Sequence, residues 1–182
     1  MPDSTIEAAD VVKRGGVIAY PTEFCFGLGC DPCNDTAVLR LLEIKHRGVE
    51  KGLVLVASDQ AQVEEYAALQ ASPLVSRILQ FWPGPHTWLL DATPRVSALI
   101  RGEHVSVAIR WSANPTIQQL CKQFGGAIVS SSANRVGCPE LMSAEQVQQE
   151  MGSELDLIID APLGGATQAS SIRDGVTGVK IR

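Results

Sequence analysis

No stretch of this chain reaches the ~18 consecutive apolar residues that a membrane span needs. The N-terminal stretch, MPDSTIEAADVVKRGG, lacks the basic-then-apolar order of a secretion signal. A cytoplasmic protein with no membrane partner is therefore expected. There is no GxxxxGK[ST] phosphate loop, and Gly27-Leu28-Gly29 fails as a dinucleotide fingerprint because Pro32 occupies the position of the third glycine. ATP, if bound, must be held in another way. No arrangement of Ser, His and Asp points to a nucleophilic triad, and no pair of carboxylates stands out for acid–base work. Cysteines number five, an odd count that does not suit a disulfide framework. The one CxxC, Cys30-Asp31-Pro32-Cys33, has no second ligand pair for zinc and no thioredoxin-like context, so inert cysteines are expected and no metal ligands are assigned. Aromatics are scarce at 5%, and a net charge of −5 opposes general nucleic-acid binding while permitting a local basic pocket.

What is present is enough for one well-packed domain. Hydrophobic residues make up 45% of the 182 positions, which supports a core without staples and argues against disorder. The expected unit is a single domain over residues 1–182, with no internal repeat or linker.

The most informative stretch is 16–56. A buried strand over Val17–Tyr20 runs into Pro21-Thr22 and then a glycine-rich loop at Gly27–Gly29, expected to present free backbone amides. A helix from about Asn34 to Lys45 ends in Lys45, His46 and Arg47, and Lys51 opens a second strand over Leu53–Val56. Arg101 and Arg110 are candidates to converge with these cations.

Around that stretch, helix signals fall at 3–14, capped by Asp3, Ser4 or Thr5, at 59–68, at 72–81 behind Ser72-Pro73, near 94–100, at 114–124 and near 143–150. Strands are expected at His86–Leu90, Val105–Arg110, Ala127–Ser130 and Leu157–Ile159, then near 170–173 and 177–181. Alternation of strands with helices predicts an α/β fold. Short connections near the C-terminus predict some antiparallel pairing there, giving a twisted mixed parallel/antiparallel sheet flanked by helices.

Several residues carry two readings each. Lys45, Arg47 and Lys51 suit either a cationic helix terminus that complements the macrodipole or a triphosphate clamp. Ser130, Ser132 and Asn134 follow a strand, where open α/β sheets bind ligands, yet Ser and Asn are ordinary loop residues. Thr87 opens a strand after the stiff turn Trp82-Pro83-Gly84-Pro85, with Trp82 expected in the core. Arg110 ends the apolar strand VSVAIR and needs either an anion or an ion-pair partner.

Taken together, these segments resemble the YrdC-like family of threonylcarbamoyl-AMP synthases in its short bacterial form. The resemblance is carried by Pro21-Thr22-Glu23 before Gly29, Lys45-x-Arg47, Lys51-Gly52-Leu53, Trp82-Pro83-Gly84-Pro85-x-Thr87, Val107-Ala108-x-Arg110, Ser130-x-Ser132-Ala133-Asn134 and Ser170-Ser171-Ile172. It implies a single domain with a deep basic cavity. It implies formation of threonylcarbamoyl-AMP and pyrophosphate from L-threonine, bicarbonate or CO2, and ATP with Mg2+, a nucleotidyl transfer. The product is passed to the tRNA threonylcarbamoyl-transferase machinery for the t6A modification of tRNAs reading ANN codons, and weak contact with tRNA or other RNA suits the same cavity. By resemblance Lys45, Arg47, Ser132 and Asn134 form the catalytic KxR…SxN signature, while Thr22, Lys51, Thr87, Arg110, Ser130 and Ser170 line the ATP and threonine sites. The sequence departs from the family pattern at Gly48, usually Pro, at Phe24-Cys25 and at Trp111–Pro115. The alternative from another class is a non-catalytic RNA-binding or ribosome-maturation factor using the same cavity.

Overall fold

The computed structural model describes residues 2–182. Its first element is helix α1 (Pro2–Lys13), so Asp3, Ser4 and Thr5, expected as caps, lie inside the helix. The strands are β1 (Ile18–Pro21), β2 (Phe26–Gly29), β3 (Val54–Ala57), β4 (His86–Asp91), β5 (Ser106–Trp111), β6 (Ile128–Ser132), β7 (Leu157–Ile158) and β8 (Ser171–Asp174). Between them run α2 (Asp35–Ile44), α3 (Gln60–Tyr66), α4 (Val75–Phe81), α5 (Ala98–Arg101), α6 (Pro115–Phe124) and α7 (Ala144–Met151). All eight strands join one sheet in the order β7-β1-β2-β6-β3-β5-β4-β8.

The sheet is mixed, as the alternation of elements predicts. Strands β3 and β5 pair parallel, as do β1 with β7 and β4 with β8, and the remaining neighbours are antiparallel. The C-terminal strands depart from expectation. Both β7 and β8 pair parallel, at opposite edges, and the antiparallel pairs belong to the first half of the chain and to β6. Residues 177–181 form no strand; they return along β8 through an isolated bridge between Arg173 and Lys180.

Helix boundaries follow local chemistry. Asn34, Asp59, Asn114 and Ser143 each accept a backbone amide from the first turn of α2, α3, α6 and α7. Ser72 does not cap α4. Its hydroxyl donates to the Gly175 carbonyl at 2.6 Å and accepts from Leu74 N, and the helix begins at Val75.

Successive strand residues face opposite sides of a sheet, and here the two faces are covered unequally. One face buries Leu28, Leu55, Ile109, Val129 and Trp88 under α2, α3, α4, α5 and α7. The other buries Ile18, Tyr20, Val56 and Ile128 under α1 and α6. Those two helices cover only part of their face. Beyond them the same side of β3, β5 and β6 continues with Val54, Ala108 and Ser130, which the register sets side by side. That uncovered stretch is the floor of a cavity. Among the described residues, no helix is long and apolar enough to cross a membrane.

The glycine-rich segment is not a loop. Gly27 and Gly29 lie in β2, paired with Tyr20 and Ile18 of β1. A Cβ on Gly29 would lie 2.7 Å from Tyr20 Cε1 and 2.8 Å from the Val129 carbonyl oxygen. The glycines exist because Tyr20 and β6 pass close by, and the ladder consumes the amides expected to face a phosphate.

Candidate active site

The cavity has a volume of about 380 Å³, within the ~300–1,000 Å³ usual for small-molecule sites. Thr22, Arg47, Lys51, Arg110, Ser130, Ser132 and Ser170 line it. Lys45, Thr87 and Asn134 stand behind its wall and hold residues that reach it.

Lys45 shows how. It is the C-cap of α2, and His46 follows in the left-handed region with φ 52°. The amides of His46 and Arg47 return to the Glu43 and Leu42 carbonyls, the paired closure that ends a helix and turns the chain sharply. The turn separates neighbours: Arg47 reaches the cavity, while Lys45, only 2% exposed, is directed at the end of β6. Its ammonium donates to the carbonyls of Ser132 and Asn134, the latter at 2.9 Å, and to Asn134 Oδ1 at 3.1 Å. Ser132 Oγ donates to the same Oδ1 at 2.7 Å, and Asn134 Nδ2 donates to the Cys138 carbonyl. Lys45 and Asn134 thus fix Ser132, whose side chain shares a sheet face with Gly27. Burial, reinforced by the nearby Arg47 charge, lowers the Lys45 pKa to about 8.

Arg47 donates from Nη2 to the Gly52 carbonyl at 2.9 Å. Its Nε is buried without a hydrogen-bond partner, and burial lowers its pKa. Gly48, where the family pattern has proline, has φ −67° and ψ 149°, the backbone a proline adopts. Gly48 thus already holds the backbone that a proline would impose. Lys51 ends the short turn Val49–Lys51 and is exposed at the cavity.

Arg110 is 5% exposed and its Nη1 lies 2.5 Å from Glu23 Oε2. The two side chains form a close ion pair. Ser112 Oγ donates to the other oxygen, Oε1, at 2.6 Å. Burial pushes the Glu23 carboxyl up, but Arg110 and Ser112 outweigh it and the net shift is downward. Of the two readings open for Arg110, the ion pair is present, and it stands in the cavity wall.

Thr22 closes the turn between β1 and β2 by donating to the Cys25 carbonyl at 2.8 Å. Thr87 is fully buried, and its hydroxyl lies 3.0 Å from that of Ser170. Ser130–Ser132 belong to β6 and not to a loop, so Ser130 and Ser132 share one face.

Glu23, Glu140, Arg101, His104, Gln168 and Arg182 also line the cavity. Arg101 was an expected member. Glu23 had a signal: an acid beside buried strands needs a cation, and Arg110 is a cation on an apolar strand. Nothing marks Arg182, which arrives through the chain's return along β8. Cys30 is buried and Cys33 exposed, and both are free. Among the described residues no group of three or more His, Cys, Asp or Glu is placed to hold a metal.

Comparison with known proteins decides the family. The model of the Sua5, YciO and YrdC proteins, described as telomere recombination, matches residues 10–182. The chain belongs to this family. Among Sua5/YciO/YrdC relatives, a threonylcarbamoyl-AMP synthase of Chromohalobacter salexigens is 44% identical over 180 residues, 99% of this chain and 97% of that protein. One from Stenotrophomonas maltophilia is 43% identical over 185 residues, covering both chains completely. Among solved structures, P. abyssi Sua5 complexed with L-threonine matches with a TM-score of 0.89 at 29% identity, over 96% of this chain and 51% of that one. E. coli YciO matches with a TM-score of 0.84 over 100% of this chain and 89% of that one; at 24% identity that likeness shows the fold alone.

Proposed function

We propose that the protein is an L-threonylcarbamoyl-AMP synthase, a nucleotidyltransferase that condenses L-threonine, bicarbonate or CO2, and ATP, releasing pyrophosphate. One observation carries this reading beyond the relatives' shared activity. The cavity sets Arg47, Lys51, Arg101 and Arg182 on its wall, with no carboxylate in salt-bridge distance of any of them among the described residues. Unpaired cations on a partly enclosed wall suit a polyphosphate.

In the reaction the free threonine amine adds to CO2 and gives up a proton to solvent as the carbamate forms, and a carbamate oxygen then bonds to the α-phosphorus of ATP. The bond from that phosphorus to the bridging oxygen breaks, and pyrophosphate leaves with the electron pair. Charge grows on phosphoryl oxygens, so cations already in place lower the barrier without reorganising. Arg47 and Lys51 are assigned to the polyphosphate, with Ser130 and Ser132 as hydroxyl partners. Lys45 and Asn134 hold Ser132, and Thr87 holds Ser170. Thr22 and Arg110 are assigned to the threonine end. Mg2+ would enter with ATP, held mainly by phosphate oxygens. Partial enclosure protects a labile mixed anhydride from water. Consumption of that product by tRNA threonylcarbamoyl transfer, weak RNA contact and a cytoplasmic setting belong to the same reading. The comparisons favour it over a non-catalytic RNA-binding role.

The test is pyrophosphate release from MgATP. Release that requires both L-threonine and bicarbonate is expected. Release without them would make the protein a plain ATPase, and no release from folded protein would overturn the assignment.

A further inference from the structure

A chain of polar groups runs from α6 to the Arg110–Glu23 pair in the cavity wall. It begins at α6, where Asn114 Oδ1 accepts the amides of Thr116 and Ile117 at 2.9 and 3.2 Å. The Asn114 amide donates to Ser112 Oγ at 3.1 Å, and the Gln118 side chain donates to the Ser112 carbonyl. Ser112 Oγ donates in turn to Glu23 Oε1 at 2.6 Å, and Glu23 Oε2 faces Arg110 at 2.5 Å. Ser112 is fully buried and absent from the cavity lining, whereas Glu23 and Arg110 both line it.

A serine hydroxyl has one proton to give. With the Asn114 amide directed at its oxygen, that proton is committed to Glu23, so the hydroxyl has a fixed sense. This bond anchors one oxygen of Glu23 to the start of α6. The other oxygen pairs with Arg110, a contact that ties the carboxylate to the guanidinium but not to the rest of the fold. Backbone bonds from Gly164 to the Thr22 carbonyl and from Ala166 to the Glu23 carbonyl hold the main chain there, but do not set the carboxylate's rotation.

We propose that Ser112 is a positioning residue. Anchored to the start of α6, it fixes the Glu23 carboxylate and through it the direction in which Arg110 presents its guanidinium to an oxyanion of the substrates. That oxyanion is a carboxylate of the amino acid or a phosphate of the nucleotide, the two chemistries a guanidinium fork recognises. Ser112 lies in Trp111–Pro115, where this chain leaves its family's pattern.

The kinetic arm rests on the synthase reading. Ser112→Ala is expected to raise the KM of one substrate about 10- to 100-fold, the range for losing a hydrogen bond to a charged group, with kcat little changed. A rise for L-threonine places the oxyanion on the amino acid, and a rise for ATP places it on the nucleotide. Ser112→Thr, which keeps the hydroxyl, is expected to restore most of the affinity. The second arm needs no turnover: in ¹⁵N-arginine NMR, the Arg110 guanidinium should show hindered rotation in wild type and Ser112→Thr, and averaged signals in Ser112→Ala and Glu23→Gln. Thermal unfolding of each variant fixes the temperature at which it is fully folded. Unchanged Arg110 signals in folded Ser112→Ala, or wild-type KM values for both substrates, would overturn the proposal. If wild type shows no turnover, the synthase reading fails and the NMR arm still decides.

Discussion

Lys45 and Asn134 meet across 89 residues of sequence, the ammonium donating to Asn134 Oδ1 at 3.1 Å. The contact ties the end of α2 to the end of β6 and sets Ser132 between them. A lysine so buried holds its proton poorly, and its pKa falls from 10.5 to about 8. Between those two values the unfolded chain binds the proton that the folded chain has released. The contribution of Lys45 to stability therefore rises with pH through that window, and is lost as pH falls through about 8. At about 1.4 kcal/mol per pKa unit the full swing is about 3 kcal/mol. The whole protein's profile also contains Cys25, which burial pushes up to about 11 and which acts in the opposite sense. The measurement is thus the difference in urea unfolding free energy between wild type and Lys45→Met across the window. Wild type should gain on the variant as pH rises. A flat difference would mean that Lys45 titrates normally.

Gly29 separates a strand from a loop by experiment. Gly29→Ala should destabilise by about 1–3 kcal/mol, because the new methyl meets the Tyr20 ring and the Val129 carbonyl, neither of which moves freely. In an open phosphate-binding loop the same change would be nearly neutral. Chemical denaturation of the variant reads the answer directly.

The same glycine marks where sequence reasoning reached its limit. Strand and helix cores were legible from periodicity, and the helix starts near 59 and 114 from residue type, because both signals act over a few neighbours. Cations converging on one site were legible too: Arg47, Lys51 and Arg110 all line the cavity. The role of Gly27 and Gly29 was not, since it depends on Tyr20 and β6 lying against them, a contact no local pattern contains. Nor was the division between Lys45 and Arg47. Two cations one residue apart look equivalent until the left-handed His46 turns the chain and sends one behind the wall.

Gly48 offers a gain in stability. Its φ of −67° fits proline, and no backbone bond uses its amide among those of the described turns. Gly48→Pro should stabilise by about 0.4–1 kcal/mol by restricting the unfolded chain, provided the Glu50 carboxylate, which would lie 2.1 Å from the new Cβ, swings aside. That side chain is exposed and long. A small rise in Tm with unchanged turnover is the expected result, and a fall would show that Glu50 is held in place.

Arg47 carries the clamp assignment. Its guanidinium holds the Gly52 carbonyl with one nitrogen and leaves a buried Nε–H unmet. A planar fork can keep the first bond while offering further N–H groups to an oxyanion, whereas a lysine ammonium must choose. Arg47→Ala is expected to lower kcat/KM for pyrophosphate release about 10²–10³-fold, the scale of losing one preorganised donor to developing charge. Arg47→Lys should recover only part of that loss, since the charge returns without the fork. Neither change removes core packing, so both variants should unfold within a few degrees of wild type. Wild-type turnover in Arg47→Ala would move the polyphosphate to Lys51, Arg101 and Arg182. Full recovery in Arg47→Lys would mean that charge at this position matters and geometry does not.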